Sequence, residues 1–322
     1  MHRIGLLGAS KIARGAVIAP AKNNPDFEVV AVGARDAGRA RAYADEHGIA
    51  HVSGSYAELV RREDVDVVYN ALPPAGHAEW TIAALEAGKT VLCEKPFAMN
   101  AGEARQMSEA AERTGRLLIE AFHYRFHDVI RRAEALTKGG ALGRLTRASA
   151  EFKGTIARSP DELRWRRDLG GGGLMDLGCY PTHALRTLIG AEPRVVSAEA
   201  TFEDGVDVDL AARLAFPDGV EASLACAMVA PGFSAPLRIE GERGSLEIIN
   251  YLAPQMGCRF TTTIDGKTET QATDGPSTYE AQLIHLAEVL AGKAQPLTGG
   301  VDAVANMTAI DAIYAAAGRP SA

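Results

Sequence analysis

Between Ile4 and Ala121, short apolar runs alternate with longer segments in which alanine and charged side chains mix. The runs Ile4–Leu7, Phe27–Val32, Val65–Asn70, Thr90–Glu94 and Leu117–Ala121 are nearly unbroken, as strands covered on both faces are. Between them lie Lys11–Ala21, Ala37–His47, Gly76–Ala87 and Asn100–Thr114, each long enough for a helix and bounded by Gly, Pro, Asp or Asn. Repeated strand–helix–strand units of this kind predict a parallel sheet with helices on both faces, a doubly wound α/β domain.

From about His123 the rhythm changes. One helical stretch, Asp128–Lys138, precedes candidate strands at Leu145–Lys153, Arg194–Phe202, Asp209–Phe216, Val220–Met228, Leu237–Gly241, Ser245–Asn250 and Arg259–Ile264. Turn signals such as Pro217-Asp218-Gly219 and Asp265-Gly266 separate several of them. Two helical stretches, Thr278–Ala291 and Val301–Ala317, close the chain. The expectation is a second, α+β domain built on a large, mostly antiparallel open sheet, with domains at 1–122 and 123–322.

Composition narrows the partners. With 322 residues, 47% of them hydrophobic, the chain can bury two cores. A net charge of −7 disfavours nucleic acid or an anionic membrane surface as the main partner. The uncharged stretch Ala222–Leu237 is too short for a membrane span and is broken by Pro231, Gly232 and Pro236. Met1-His2-Arg3 runs straight into the first strand without an export signal. Cys93, Cys179, Cys226 and Cys258 lie far apart without metal-ligand spacing, so reduced thiols, no metal site and a cytoplasmic location are expected.

The first candidate site follows the first strand. Gly8-Ala9-Ser10-Lys11-Ile12-Ala13 matches G-x-G-x-x-A with Ser10 in place of the middle glycine. In such a strand–turn–helix, Gly8 permits the tight reversal and Ala13 close packing. The helix start at Ser10, Lys11 and Ile12 offers backbone N–H groups to a pyrophosphate, the arrangement of a Rossmann domain. The second strand ends at Gly33-Ala34-Arg35-Asp36. An uncharged Ala34 followed by the Arg35 guanidinium suits a ribose 2′-phosphate, and hence NADP. If Asp36 instead holds a ribose hydroxyl, NAD is the cofactor.

Glu94-Lys95-Pro96 stands at the C-terminal end of the fourth strand, where open α/β sheets bind ligands. A partly desolvated lysine there can stabilise a developing alkoxide, and Pro96 can aim it through a cis bond; taken alone, Glu94 and Lys95 serve equally well as a surface ion pair. With Ala84-Leu85-Glu86-Ala87-Gly88-Lys89 before it, this segment resembles the Gfo/Idh/MocA oxidoreductases. The resemblance implies that Lys95 and Glu94 lie near a nicotinamide, with Lys95 catalytic, and that Leu72-Pro73-Pro74 and His77 help form the cofactor pocket. From the residues alone, His77 is a first-turn or surface histidine.

In the second domain, Gly170-Gly171-Gly172-Gly173 precedes Leu174-Met175-Asp176-Leu177-Gly178-Cys179-Tyr180-Pro181-Thr182-His183. Consecutive glycines let backbone approach a ligand or a neighbouring chain. On the helix expected to follow, Asp176, Tyr180 and His183 fall near one face. The segment is similar to the family's second signature, with tyrosine in place of the histidine many members carry. Together with Glu120-Ala121-Phe122-His123-Tyr124-Arg125, this resembles the branch of glucose–fructose oxidoreductase, dimeric dihydrodiol dehydrogenase and xylose dehydrogenases, which implies Tyr180 as acid/base. Asp176 would orient Lys95 or hold a substrate hydroxyl. His123, Tyr124, Arg125, Trp165, Arg166 and His183 are the candidate substrate contacts. The expected activity is hydride transfer between a sugar, polyol or diol hydroxyl and NAD(P), by a homodimer or homotetramer. Its rivals are a carbonyl, imine or keto-sugar reductase, a redox-neutral glycosidase, and a non-catalytic NADP sensor.

Overall fold

The computed structural model describes residues 1–159 and 161–319. The chain divides into two compact units, Met1–His123 with Tyr279–Val304, and Tyr124–Thr278 with the segment from Ala305 onward. The sequence-based division at 122/123 treats each domain as contiguous, whereas residues 279–304 belong with the first unit. The last residues of the expected second domain, 320–322, lie outside the described ones.

The first unit is built on six parallel strands, β1 (His2–Leu7), β2 (Phe27–Gly33), β3 (His51–Ser53), β4 (Val67–Asn70), β5 (Thr90–Cys93) and β6 (Leu118–Glu120), in the order β3-β2-β1-β4-β5-β6. The order reverses between β1 and β4, which opens a crevice at the carboxyl ends of those strands. Leu6, Leu7, Val32, Val68, Tyr69, Val91 and Cys93 are buried, consistent with helices on both faces. The helices start where the sequence supplies a cap. Asp36 accepts from Arg39 N–H at 2.6 Å at the head of Ala37–His47, and Asn100 accepts from Glu103 N–H at 3.0 Å at the head of Ala101–Thr114. Each such cap contributes about 1 kcal/mol. Gly48 and Gly115 end these helices in the left-handed region.

Residues 298–300 lie along β6. Thr298 Oγ1 donates to the Glu120 carbonyl at 2.7 Å and Ser108 Oγ to that of Gly300 at 3.2 Å. Gly299 comes so close that a Cβ there would overlap the Leu118 carbonyl.

The second unit holds nine strands: β7 (Leu145–Thr155), β8 (Arg194–Glu203), β9 (Val206–Ala215), β10 (Glu221–Ala227), β11 (Val229–Ser234), β12 (Pro236–Gly241), β13 (Gly244–Ile249), β14 (Arg259–Ile264) and β15 (Lys267–Gln271). The path is β15-β14-β13-β12-β7-β10-β9-β8, with β11 beside β7; every pairing is antiparallel except β10 with β7. Alternation fixes the register: Val206, Val208, Leu210, Ala212 and Leu214 of β9 are buried while Asp209, Ala211 and Arg213 are exposed. The helix Cys179–Ile189 packs on β7, β10 and the helix Asp128–Lys138.

Candidate functional site

In the first unit the turn after β1 is shaped for close approach. Gly8 has φ +96°, and a Cβ there would sit 3.2 Å from Leu72 Cδ2, so this glycine lets the ends of β1 and β4 come together. Ser10 caps the helix that follows: its Oγ accepts from Ala13 N–H at 3.3 Å, and Ala13 is fully buried against the sheet. The hydroxyl hydrogen of Ser10 stays available for donation, while Lys11 and Ile12 are exposed. Beyond Ala13 the helix passes through a wide turn, Arg14–Ile18, before Pro20. Proline cannot donate to the preceding turn, and the wider turn leaves room for its ring.

The turn is tied to the helix Ala37–His47. Arg39 Nη2 donates to the Ala9 carbonyl at 2.9 Å, and the Tyr43 hydroxyl donates to that of Ser10 at 2.9 Å. Ala9, Ala34 and Ala40 form a small cluster against which Tyr43 and Val52 pack. The sequence reading missed Arg39 and Tyr43; the signal available was a second arginine four residues after Arg35, just inside the predicted helix. Asp36 is spent as the helix cap, whereas Arg35 is exposed at the strand end. A carboxylate committed to a cap, with Arg35 and Arg39 beside the turn, fits a 2′-phosphate better than a bare ribose.

Lys95 follows β5 and is partly exposed; the Lys95–Pro96 peptide is cis. Glu94 is buried, accepting from the Tyr69 hydroxyl and, at 3.3 Å, from Lys95 N–H. His77 is fully buried rather than at the surface. Its Nδ1 faces the carbonyls of Pro96 and Phe97 at 3.0 and 3.3 Å, and its Nε2 faces that of Leu72 at 2.8 Å. Burial pushes the imidazole pKa down against the pull of these carbonyls. His77 therefore joins the Leu72-Pro73 loop to the loop after Lys95. His123 is also buried, its ring 4.1 Å from that of Tyr279; burial and the Lys95 charge lower its pKa to about 3. It stays neutral at physiological pH.

In the second unit the glycine run meets neighbouring chain. A Cβ on Gly171 would lie 2.6 Å from the Arg164 carbonyl, and one on Gly172 (φ +127°) would overlap Asp207 Oδ1 and lie 2.9 Å from the Tyr314 hydroxyl. A wide turn, Leu174–Gly178, then leads into Cys179–Ile189, again just before a proline, Pro181. Asp176 on that turn accepts from Arg164 Nε at 2.7 Å. Arg164 also donates to Glu162 at 2.9 Å, and the two carboxylates raise its pKa.

Tyr180 is nearly buried, its ring 5.8 Å from that of Tyr124 and 5.7 Å from that of Phe152, both edge-on. The Tyr124 hydroxyl is hydrogen-bonded to His183 Nδ1 at 2.6 Å. Tyr124, Tyr180 and His183 are thus brought together, with His183 fully buried behind the tyrosines. The other candidates lie elsewhere. Arg125 is buried in an ion pair with Glu134 at 2.7 Å. Trp165 donates to the Ile156 carbonyl at 3.3 Å under the Arg158 guanidinium, and Arg166 pairs with Asp168 at the surface. Among the described residues, no cluster of His, Cys, Asp or Glu is arranged to hold a metal ion, and no helix is long and apolar enough to cross a membrane.

Residues 2–122 match the sequence profile of an oxidoreductase family with an NAD-binding Rossmann fold, GFO/IDH/MocA, and residues 130–247 match the C-terminal domain of the same family. The chain is 33% identical over 320 residues to D-xylose 1-dehydrogenase (NADP(+)) 2 of Haloferax volcanii, covering 97% of this chain and 96% of that one. It is 36% identical over 260 residues to dTDP-3,4-didehydro-2,6-dideoxy-α-D-glucose 3-reductase of Streptomyces violaceoruber, covering 80% and 75%. Among solved structures, aldose-aldose oxidoreductase of Caulobacter crescentus, complexed with glycerol, superposes with a TM-score of 0.90 at 28% identity over 98% of this chain and 97% of that one.

Proposed function

The chain belongs to the GFO/IDH/MocA oxidoreductase family, and from that premise we propose that it is an NADP-preferring aldose dehydrogenase in which Tyr180 is the acid/base group and Lys95 assists it. When bound, the nicotinamide dinucleotide supplies the hydride acceptor. Gly8, Ser10 and the helix start at Lys11 and Ile12 are the groups that would hold its pyrophosphate, with Arg35 and Arg39 taking the 2′-phosphate.

Oxidising a sugar hydroxyl needs a base for the O–H proton. Tyr180 takes that role as a phenolate set among aromatic rings, which becomes the phenol on accepting the proton, and Lys95 contributes the positive charge that steadies the developing alkoxide. A free phenol titrates near 10, so removing its proton at neutral pH calls for such a charge. Asp176, held by Arg164, is an acceptor for a substrate hydroxyl. His123 contributes a neutral imidazole beside Lys95.

The observation that carries this reading is the full-length similarity to an NADP-linked xylose dehydrogenase in a chain that keeps Lys95, Asp176 and Tyr180 in their motifs. A second reading, reduction of a keto-sugar, is favoured by the likeness to the 3-reductase and runs the same proton transfer in reverse. A panel of aldoses, polyols and diols with NADP and NAD, and of keto-sugars with NADPH, read by absorbance of the reduced nicotinamide, separates the two. NADPH formation from an aldose supports the dehydrogenase, and activity confined to NADPH consumption with a keto-sugar overturns it. Tyr180→Phe should lower turnover by about a hundredfold or more while the NADP dissociation constant stays within about twofold. Unchanged turnover removes Tyr180 from the acid/base role.

A further inference from the structure

Asp207 is fully buried at the start of β9, and the reaction described above does not use it. Its Oδ2 accepts from the Leu174 backbone N–H at 2.6 Å, and its Oδ1 accepts from the Tyr314 hydroxyl at 2.7 Å. Leu174 opens the wide turn that carries Asp176 and leads to Tyr180, and its N–H is one of those a helix start leaves without a partner inside the helix. The backbone before it wraps the carboxylate. A Cβ on Gly172 would overlap Oδ1, and one on Gly173 would lie 3.2 Å from Oδ2. Tyr314 is itself covered by the Arg319 guanidinium, 4.0 Å from the ring centroid. Every one of these groups lies in the second unit.

The carboxylate is expensive to keep. Burial pushes its pKa up against the pull of the Tyr314 and Leu174 hydrogen bonds. Its ionised form therefore costs folding stability at neutral pH, a cost that falls away as pH drops through the raised value. An apolar residue packed against alanines in place of the glycines would avoid that cost, but would leave the Leu174 N–H unanswered.

We propose that Asp207 is a positioning residue for the oxidoreductase reaction, latched by Tyr314, and that the pair fixes the Gly172–Leu174 backbone and through it the placement of Tyr180. The proposal rests on the acid/base reading of Tyr180. A displacement of about 1 Å at a proton-transfer group can cost about a hundredfold in rate. Loss of one latch bond should therefore appear in turnover before it appears in cofactor binding.

Tyr314→Phe removes one bond with little change of shape, and Asp207→Ala removes both. In full-length protein with saturating NADP and the best aldose from the panel, Tyr314→Phe should lower kcat about tenfold and Asp207→Ala further, with the NADP dissociation constant within about twofold. Hydrogen exchange of the ligand-free protein should speed up selectively over residues 172–180. In a Tyr180→Phe background, Tyr314→Phe should cost nothing more. Unchanged exchange over 172–180 in Tyr314→Phe overturns the latch. Faster exchange with wild-type kcat, or a loss that multiplies in full on top of Tyr180→Phe, overturns the positioning role. Wild-type turnover in Tyr180→Phe alone removes the acid/base reading and with it the catalytic half of the proposal, while exchange still decides whether the latch holds the segment. If Asp207→Ala does not fold, Tyr314→Phe carries the test.

Discussion

Gly172 shows what one position reveals and what it hides. The run of glycines was legible as a place where backbone must come close to something, with a ligand and neighbouring chain both open. The partner is Asp207, 35 residues on in the chain, and no local pattern names a partner at that separation. Gly172→Ala combines a positive φ with a Cβ that has no room, so it should destabilise the protein by about 3 kcal/mol; denaturant unfolding monitored by tryptophan fluorescence measures it. His77 carries the same lesson. It opens the helix His77–Glu86, as its position suggests, but its ring contacts are carbonyls of two loops, and only folding brings Leu72 and Pro96 to either side of one ring. Asp36 is the converse case, because its capping role is written in its place directly before the predicted helix Ala37–His47.

Elements were legible in proportion to their length and burial. The long helices and the covered strands of the first unit stand close to their expected limits. By contrast β3, three residues long, and the helix Tyr56–Arg61 that follows were not expected, since neither repeats its own pattern through two full periods. At the rim of the second sheet, β15 is exposed along nearly its whole length and β11 is mostly exposed, so neither shows the alternation that marks a half-covered strand. In the proposed function the passage from β2 into the helix Ala37–His47 selects the cofactor, because it carries Arg35, the capping carboxylate of Asp36, and Arg39. Replacing Arg35 and Arg39 together with serine should raise the KM for NADP by about tenfold or more and leave the KM for NAD nearly unchanged. Equal losses with both cofactors would show that the two arginines support the turn and not the phosphate.

For the molecule as a whole, the charge of −7 says little about where charge acts. Arg3 at the start of β1 binds both oxygens of Asp66, at 3.0 and 2.8 Å, and this pairing holds the Asp66 carboxyl at about 2. A carboxyl whose folded pKa is depressed stabilises the fold above its unfolded value, near 4, and loses that contribution as pH falls towards the folded one. Arg3→Gln should therefore lower the denaturation midpoint at pH 7, with the difference closing by pH 2. Both groups are partly exposed, so the effect should also shrink in high salt.

The return of residues 279–304 to the first unit sets an order of events during synthesis. β6 ends at residue 120, but the stretch that runs along it, from Thr298 to Gly300, leaves the ribosome nearly 180 residues later. Until then the rim of the parallel sheet stands open to pairing with other chains, the hazard of any unfinished sheet. Domain-by-domain folding in N-to-C order is thus closed to this chain. The cofactor-binding unit is completed only after almost all of its partner unit has been made.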